Sequence, residues 1–194
     1  AMYHAKELGR ARQSTFDIEL EQRLADRLVL DQELRVALER REFEVHYQPE
    51  VDLESGRIVG AEALLRWRTD GALRDAYTFI DVVEETGLIV PIGRWVLDQA
   101  VRQAQRWQAE LPGTEPLYIC VNLSRRQLGD PNLVDDVARV LDETAVDPSR
   151  IDLEITESVL MDDVELAHRA LSQLHELGVK LVVDDFGTGY SSLS

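Results

Sequence analysis

The sequence predicts an α/β fold, namely a β/α barrel of the TIM type with an antiparallel first strand, about five of whose eight strands lie in this chain. Two apolar runs joined by a turn open the pattern, strands and helices then alternate, and polar residues end the strands. An open, doubly wound sheet is the alternative, because the same number of strands and helices would also suit it.

A charged helical pattern covers residues 18–38 and changes phase near Leu28. The apolar positions on either side of this change are Leu20, Leu24 and Leu28, then Leu30, Leu34 and Leu38. Each set has the spacing of one face of a helix. We therefore expect two helices, a linker followed by a helix that leads into the barrel.

The first two strands are predicted from alternating apolar residues. Phe43, Val45 and Tyr47 alternate with polar residues, and a second apolar run covers residues 58–67. The segment between them, Glu54-Ser55-Gly56-Arg57, has the composition of a turn. These two strands are therefore expected to pair in antiparallel fashion.

Repeated strand and helix units follow. Thr78 and Asp81 have the spacing of a capping box for a helix that Gly87 ends, and Pro91 begins a longer helix. Three further strands are expected over residues 117–123, 151–155 and 179–184, with helices beginning near Pro131 and Asp163 between them.

The composition limits the ligands and the cellular setting. The chain of 194 residues carries 37 acidic and 21 basic side chains and a net charge of −16. This charge disfavours DNA and RNA, although bound divalent cations would still admit a small phosphorylated ligand. The single Cys120 excludes a disulfide framework and is expected in a buried strand, in a reducing cytoplasm. No apolar stretch approaches ~18 residues, so we expect no direct membrane contact from this segment, whereas its parent is compatible with an inner-membrane anchor.

Polar side chains end the predicted strands, where the active sites of β/α barrels lie. Glu62 and Arg66 lie four residues apart on one face of a strand. Asn122 and Glu154 come near the ends of the next two strands, and the pair Asp184-Asp185 closes the last. Such oxygen donors suit hard cations, Mg²⁺ or Mn²⁺, which would activate a water for attack at phosphorus. One carboxylate alone in so acidic a chain would more simply be solvated, so the recurrence at successive strands supports the prediction.

Two further features receive less weight. Gly187 and Gly189 permit a tight loop after the aspartate pair, which by itself is weak evidence for phosphate binding. The spacing of His46, His168 and His175 favours surface or packing roles, so we assign these histidines no chemistry.

Five motifs, in this order, resemble the successive motifs of EAL domains. They are Tyr47-Gln48-Pro49, Glu62-Ala63-Leu64-Leu65-Arg66-Trp67, Val121-Asn122-Leu123-Ser124, Leu153-Glu154-Ile155-Thr156-Glu157 and Asp184-Asp185-Phe186-Gly187-Thr188-Gly189-Tyr190-Ser191-Ser192-Leu193. The resemblance covers residues 30–194 and implies hydrolysis of the bacterial second messenger cyclic di-GMP to linear pGpG, with Mg²⁺ or Mn²⁺.

The resemblance also implies roles for individual residues. The implied metal ligands are Glu62, Asn122, Glu154, Asp184 and Asp185, of which Glu62, Asp184 and Asp185 would be catalytic. Gln48 and Arg66 would contact the dinucleotide, the arginine through phosphate. Glu157 would support the loop of Gly187, Thr188 and Gly189, which in the family couples dimerisation to activity.

The resemblance extends to the organisation of the chain. Residues 1–16 are similar to the last helix of a GGDEF diguanylate cyclase domain, which places a helical linker at residues 17–29 and the EAL segment at 30–194. Asp81 and Val83 depart from the residues that are usual in the family, outside the implied ligands. EAL domains continue with a strand whose lysine is proposed to position or activate the water, and we expect that lysine beyond this segment. The segment alone is therefore expected to be inactive, unclosed and prone to form a homodimer or a domain-swapped oligomer.

Three functions remain open. The intact parent is expected to be a cyclic di-GMP phosphodiesterase. A receptor or dimerisation module that binds cyclic di-GMP without catalysis is the alternative, although its expected loss of metal ligands is not seen in the motifs. The third hypothesis is that the segment itself is only an inactive folding piece.

Overall fold

The computed structural model describes residues 2–111, 115–156 and 164–184. The helices in these ranges are α1 (Met2–Arg40), α2 (Ile80–Thr86), α3 (Ile89–Glu110), α4 (Arg125–Leu128), α5 (Leu133–Thr144) and α6 (Val164–Glu176). The strands are β1 (Phe43–Val51), β2 (Ile58–Thr69), β3 (Ala72–Asp75), β4 (Tyr118–Asn122), β5 (Ile151–Thr156) and β6 (Lys180–Asp184). Within the described residues, none of the helices combines the length and the apolar character needed to span a membrane.

The strands form one mixed sheet in the order β1-β2-β4-β5-β6, with β3 paired to β2. β1 and β2 are antiparallel, from the pair Phe43 and Trp67 to the pair Val51 and Ile58. β2, β4, β5 and β6 are parallel to their neighbours. A doubly wound sheet reverses its strand order at a switch point, whereas this sheet winds in one direction only. The prediction of part of a β/α barrel with an antiparallel first strand is therefore confirmed.

The two faces of the sheet differ in burial. Ala61, Ala63, Leu65 and Trp67 of β2 are buried, and in β5 the buried residues likewise occupy every second position. These side chains join one apolar core with the buried residues of α3 and α5, such as Ile92, Val96, Val137 and Val140. The opposite face, which would be the interior of a barrel, carries the polar residues that alternate with them.

The expectation of two helices before the first strand is wrong, because α1 runs without a break from Met2 to Arg40. Residues 10–40 contain neither glycine nor proline, the residues that interrupt helices. The change of phase near Leu28 instead marks where the helix begins to pack on the domain. Leu28 is 72% exposed, whereas Leu34 and Ala37 are fully buried.

The expected helix cap at Thr78 and Asp81 is also wrong. α2 begins at Ile80, and the residue at its N-cap position is Phe79. The hydroxyl of Thr78 donates instead to the backbone oxygen of Asp75, at 2.7 Å. The end of α2 at Gly87, which adopts a φ of 82°, agrees with the prediction.

Two short elements were not predicted. β3 pairs with β2 through a tight turn at Asp70 and Gly71, both of which have positive φ, 50° and 76°. α4 begins with a capping box in which Ser124 accepts a hydrogen bond from the Gln127 backbone N–H, and the Gln127 side chain accepts one in return. Both elements lie next to the carboxyl ends of strands, where they shape the rim of the barrel.

Candidate active site

The residues predicted from strand ends occupy one edge of the sheet. Glu62 lies in β2, Asn122 is the last residue of β4, Glu154 lies near the end of β5 and Asp184 ends β6. The carboxyl ends of parallel strands meet at the same edge of a sheet, so all four residues lie at the same rim. Each alternates with a residue that packs against the helices, and therefore faces the barrel interior.

The strand register explains how these residues approach one another. Asn122 and Glu154 are register partners, but the partner of Glu62 is Cys120, two residues before Asn122. Asp184 likewise lies two residues beyond Val182, the partner of Glu154. Strands of a barrel tilt and are staggered by its shear, so residues at one height come from shifted register positions. The stagger therefore brings the four residues to a similar height along the barrel axis.

Asn122 and Glu62 are in direct contact. The amide nitrogen Nδ2 of Asn122 donates a hydrogen bond to Oε1 of Glu62 at 2.6 Å. A primary amide has both donors and an acceptor, so this bond leaves the amide oxygen as a ligand for a cation. The contact also fixes the Glu62 carboxylate relative to β4.

Glu154 lies in an acidic and half-buried environment. Burial raises the pKa of Glu154, a hydrogen bond from the Cys120 thiol opposes this shift, and the carboxylates of Glu62 and Asp184 raise the pKa further. The charges of Glu62 and Asp184 therefore both act on the Glu154 carboxylate. A cation bound among the three carboxylates would offset these charges.

Cys120 is buried in β4, as the sequence predicts. Burial raises the pKa of its thiol, and the hydrogen bond to Glu154 adds to that shift. The thiol is therefore protonated at neutral pH and can donate to the carboxylate beside it.

The two residues expected to bind substrate flank this rim. Gln48 in β1 is the cross-strand partner of Glu62. Arg66, four residues beyond Glu62 in β2, forms an ion pair with Asp75 in which Nε lies 2.8 Å from Oδ1. Nη1 of Arg66 also donates to the backbone oxygen of Leu65 at 2.9 Å. The guanidinium is thus held at a defined position on the interior face.

Some predicted site residues fall outside the described ranges. These are Glu157, Asp185, Gly187, Thr188 and Gly189. Within residues 2–111, 115–156 and 164–184, no three His, Cys, Asp or Glu side chains converge closely enough to hold a metal ion. His46 contacts Glu44 at 3.3 Å on the first strand, in keeping with a surface role.

A cavity of about 290 Å³ adjoins the rim and was not foreseen from the sequence. Asn122, Ser124, Glu154 and Thr156 border it on the strand side. Its helix side is lined by Ile80, Glu84, Ile89, Ile92 and Val96. The helix periodicity predicts that several of these residues are buried. The space between them depends on how α2 and α3 pack over β2, which the sequence pattern does not predict.

The fold and the rim define part of a β/α-barrel protein that gathers carboxylate and amide oxygens at the carboxyl ends of parallel strands. The chain belongs to the EAL domain family, whose sequence profile matches residues 31–194. The family resemblance of the five motifs is therefore confirmed, while the boundaries after residues 16 and 29 remain predictions.

Two curated relatives match the whole chain. One is the bifunctional diguanylate cyclase/cyclic di-GMP phosphodiesterase MucR of Pseudomonas aeruginosa, which is 44% identical over 194 residues. The match covers 100% of this chain and 28% of MucR. The other is the cyclic di-GMP phosphodiesterase PdeR of Escherichia coli, which is 43% identical over 195 residues. The match covers 100% of this chain and 29% of PdeR. The chain thus spans less than a third of the length of these relatives.

Solved structures agree with the family and the fold. A cyclic di-GMP complex of the PaMucR phosphodiesterase is 45% identical, with a TM-score of 0.77 over 84% of this chain and 66% of that one. The EAL enzyme Bd1971, with cAMP and cyclic di-GMP bound, is 33% identical, with a TM-score of 0.82 over 88% of this chain and 47% of that one.

Proposed function

We propose that the protein containing this chain hydrolyses cyclic di-GMP to linear pGpG with the help of Mg²⁺ or Mn²⁺. The carrying observation is the rim, where Glu62 and Asp184 lie near enough to Glu154 for their charges to act on it and Asn122 donates a hydrogen bond of 2.6 Å to Glu62. The proposal is supported by the phosphodiesterase activity named for MucR and PdeR.

The oxygen donors of the rim suit a hard divalent cation by their chemistry, and three of the carboxylates would have to draw closer together to bind it. Its described ligands would be Glu62, Glu154, Asp184 and the amide oxygen of Asn122, and the family resemblance adds Asp185. Oxygen donors of this kind suit Mg²⁺ and Mn²⁺ better than softer metals. Burial, and after it the charges of Glu62 and Asp184, raise the pKa of Glu154, and a bound cation would offset these charges. When bound, such ions supply Lewis-acid chemistry at the phosphodiester and favour ionisation of a water.

The remaining residues of the rim bind and orient the substrate. Asn122 holds Glu62, so that the carboxylate is ordered before the substrate arrives. Arg66 offers guanidinium donors to a non-bridging phosphate oxygen, for which arginine has a suitable planar geometry. Gln48, the cross-strand partner of Glu62, would contact the dinucleotide on the same side.

The adjoining cavity suits one base of the dinucleotide. Its volume of about 290 Å³ is at the small end of ligand pockets, which span roughly 300–1,000 Å³. Ile80, Ile89 and Ile92 offer apolar walls for a purine ring, and the Glu84 carboxylate offers an acceptor for ring N–H groups. We propose that one guanine of cyclic di-GMP lies in this cavity.

The wider organisation is proposed on the resemblance alone. Residues 1–16 would be the end of a GGDEF domain and residues 17–29 a linker to the EAL segment. Glu157 and the loop of Gly187, Thr188 and Gly189 would support the site and couple it to a homodimer. Such a protein would act in the cytoplasm, where cyclic di-GMP is the substrate.

The test uses the full-length protein that contains this chain. Purified wild type is incubated with cyclic di-GMP and Mg²⁺, Mn²⁺ or a chelator, and pGpG is measured by chromatography. We expect product only with metal, and a loss of at least about 100-fold in Glu62→Gln, since it removes a charged ligand. Glu54→Gln, in the exposed turn between β1 and β2, is the matched control and should retain activity.

Two outcomes would contradict the proposal. Absence of product under every metal condition, with cyclic di-GMP still bound in calorimetry, would identify the receptor alternative. Absence of both binding and product would exclude a cyclic di-GMP function altogether.

A further inference from the structure

The ion pair between Arg66 and Asp75 connects the rim to an element that lies outside the five motifs. Asp75 is the last residue of β3, and it is the register partner of Arg66 in the antiparallel β2–β3 pair. Nε of Arg66 lies 2.8 Å from Oδ1 of Asp75. The arginine side chain is 19% exposed, so a large part of its length is already packed before any ligand binds.

The hairpin that carries Asp75 is held on both faces. On the face opposite Arg66, the guanidinium of Arg74 lies over the ring of Trp67, 4.9 Å from its centroid. Trp67 is buried in the core and is the register partner of Arg74. The turn at Asp70 and Gly71 closes the two strands. The backbone of Asp75 is therefore held by a short paired strand, while its side chain is half exposed.

The neighbouring charges leave Asp75 as the carboxylate that pairs with Arg66. Glu44 lies directly across β1 from Arg66 in the register, but its carboxylate accepts hydrogen bonds from both Nε and Nη2 of Arg68. Glu44 is thus paired with Arg68, its diagonal neighbour on β2. The two arginines of this face are divided between two carboxylates, one on each side of β2.

We propose that Asp75 is a positioning residue for the substrate, because it fixes the Arg66 guanidinium so that the remaining donor edge faces a phosphate of cyclic di-GMP. The inference rests on the proposed function. Oδ1 of Asp75 lies 2.8 Å from Nε, and the Leu65 carbonyl accepts a hydrogen bond from Nη1, so the guanidinium is held by two contacts before the substrate binds. A long side chain that is ordered in advance loses less conformational freedom on binding.

The predicted effect is on substrate affinity more than on turnover. Asp75 touches Arg66 and not the carboxylates of the rim, so its removal leaves the metal ligands in place. In Asp75→Asn, which keeps the shape of the side chain, we expect KM to rise about 3- to 10-fold, the range of coupled pairs, with kcat within about twofold of wild type. Asp75→Glu should restore part of the affinity, because it keeps the charge.

The experiment is a double-mutant cycle in the full-length protein, with KM and kcat measured for cyclic di-GMP. Wild type, Asp75→Asn, Arg66→Ala and the double variant are compared, and thermal unfolding checks that each is folded. If Asp75 acts through Arg66, Asp75→Asn has no further effect on KM in the Arg66→Ala background. Arg74→Gln is the matched control, since it weakens the same hairpin from its other face and should leave KM unchanged.

The outcomes separate this inference from the function on which it rests. Equal KM in active wild type and Asp75→Asn would overturn the positioning role alone, as would an undiminished effect of Asp75→Asn when Arg66 is absent. A rise in KM of the same size in Arg74→Gln would also overturn it, because the effect would then come from the hairpin as a whole. A wild type that neither binds nor hydrolyses cyclic di-GMP would refute the proposed function and this role together.

Discussion

The side-chain amide of Asn122 donates a hydrogen bond of 2.6 Å to the carboxylate of Glu62 and so joins β4 to β2 on the interior face of the sheet. The two residues are 60 positions apart in the sequence and are not register partners. Their contact is produced by the stagger of the parallel strands. It holds the Glu62 carboxylate, whose charge acts on Glu154 nearby.

Asn122→Ala is expected to reduce kcat/KM for cyclic di-GMP by about 10- to 100-fold, because a proposed ligand and the support of Glu62 are lost together. The concentration of Mn²⁺ needed for half-maximal activity should rise in parallel, as measured by metal titration of the full-length protein. Asn132→Ala, an exposed asparagine just before α5, is the control. Unchanged metal dependence in Asn122→Ala would contradict a ligand role.

The two halves of α1 should respond differently to truncation of a leucine. Leu34→Ala should lower the free energy of unfolding by about 2–5 kcal/mol, because Leu34 is fully buried in the core. Leu28→Ala, on the exposed stretch of the same helix, should change it by no more than about 0.5 kcal/mol. Urea unfolding followed by circular dichroism measures both. Similar losses in the two variants would show that the earlier stretch also packs on the domain.

Gly60 is expected to be intolerant of a side chain. A Cβ at this position would lie 2.4–2.6 Å from three ring carbons of Tyr118, the residue beside it in β4. Gly60→Ala should therefore cost about 1–3 kcal/mol of unfolding free energy through overpacking. The cost should largely vanish when Tyr118→Ala removes the ring. An equal loss in both backgrounds would place the strain in the backbone instead.

The ion pair of Glu44 predicts a dependence of stability on pH. Hydrogen bonds from Arg68 and then His46 lower the pKa of Glu44 from 4.5 to about 2 in the folded chain. Since the folded pKa is depressed, the contribution is present above about pH 4.5 and is lost as the pH falls towards 2. The difference in urea midpoint between wild type and Glu44→Gln should thus shrink over this range. A difference that is constant from pH 6 to pH 2, or that persists in an Arg68→Gln background, would contradict this origin.

The positions of the site residues could be predicted from the sequence because they depend on local pattern. Asn122 and Asp184 each end an apolar run that forms a strand, and Glu62 alternates with the buried Ala61 and Ala63. Parallel strands then place such residues at one edge. The contact between Asn122 and Glu62 could not be predicted in this way, because it depends on the strand tilt and stagger of the whole sheet.

Other differences have local causes. The Asp70-Gly71 pair is a strong hairpin signal, so the turn between β2 and β3 can be predicted from the sequence. The phase change at Leu28 predicts a break between two helices, yet α1 has no residue there that would interrupt it. The spacing of Thr78 and Asp81 fits a capping box, but the hydroxyl of Thr78 binds the carbonyl of Asp75 at the end of β3. Tertiary pairing decided the outcome in this case.

The connection between α1 and β1 also has a mechanical consequence. α1 ends at Arg40, Arg41 adopts a φ of 59°, the backbone N–H of Glu42 bonds the carbonyl of Ala37 at 2.9 Å, and β1 begins at Phe43. With its 39 residues, the helix is roughly 58 Å long, and its last turn is hydrogen-bonded to the residue that precedes β1. A rotation of α1 about its axis would therefore be transmitted to β1, and Gln48 would move with that strand.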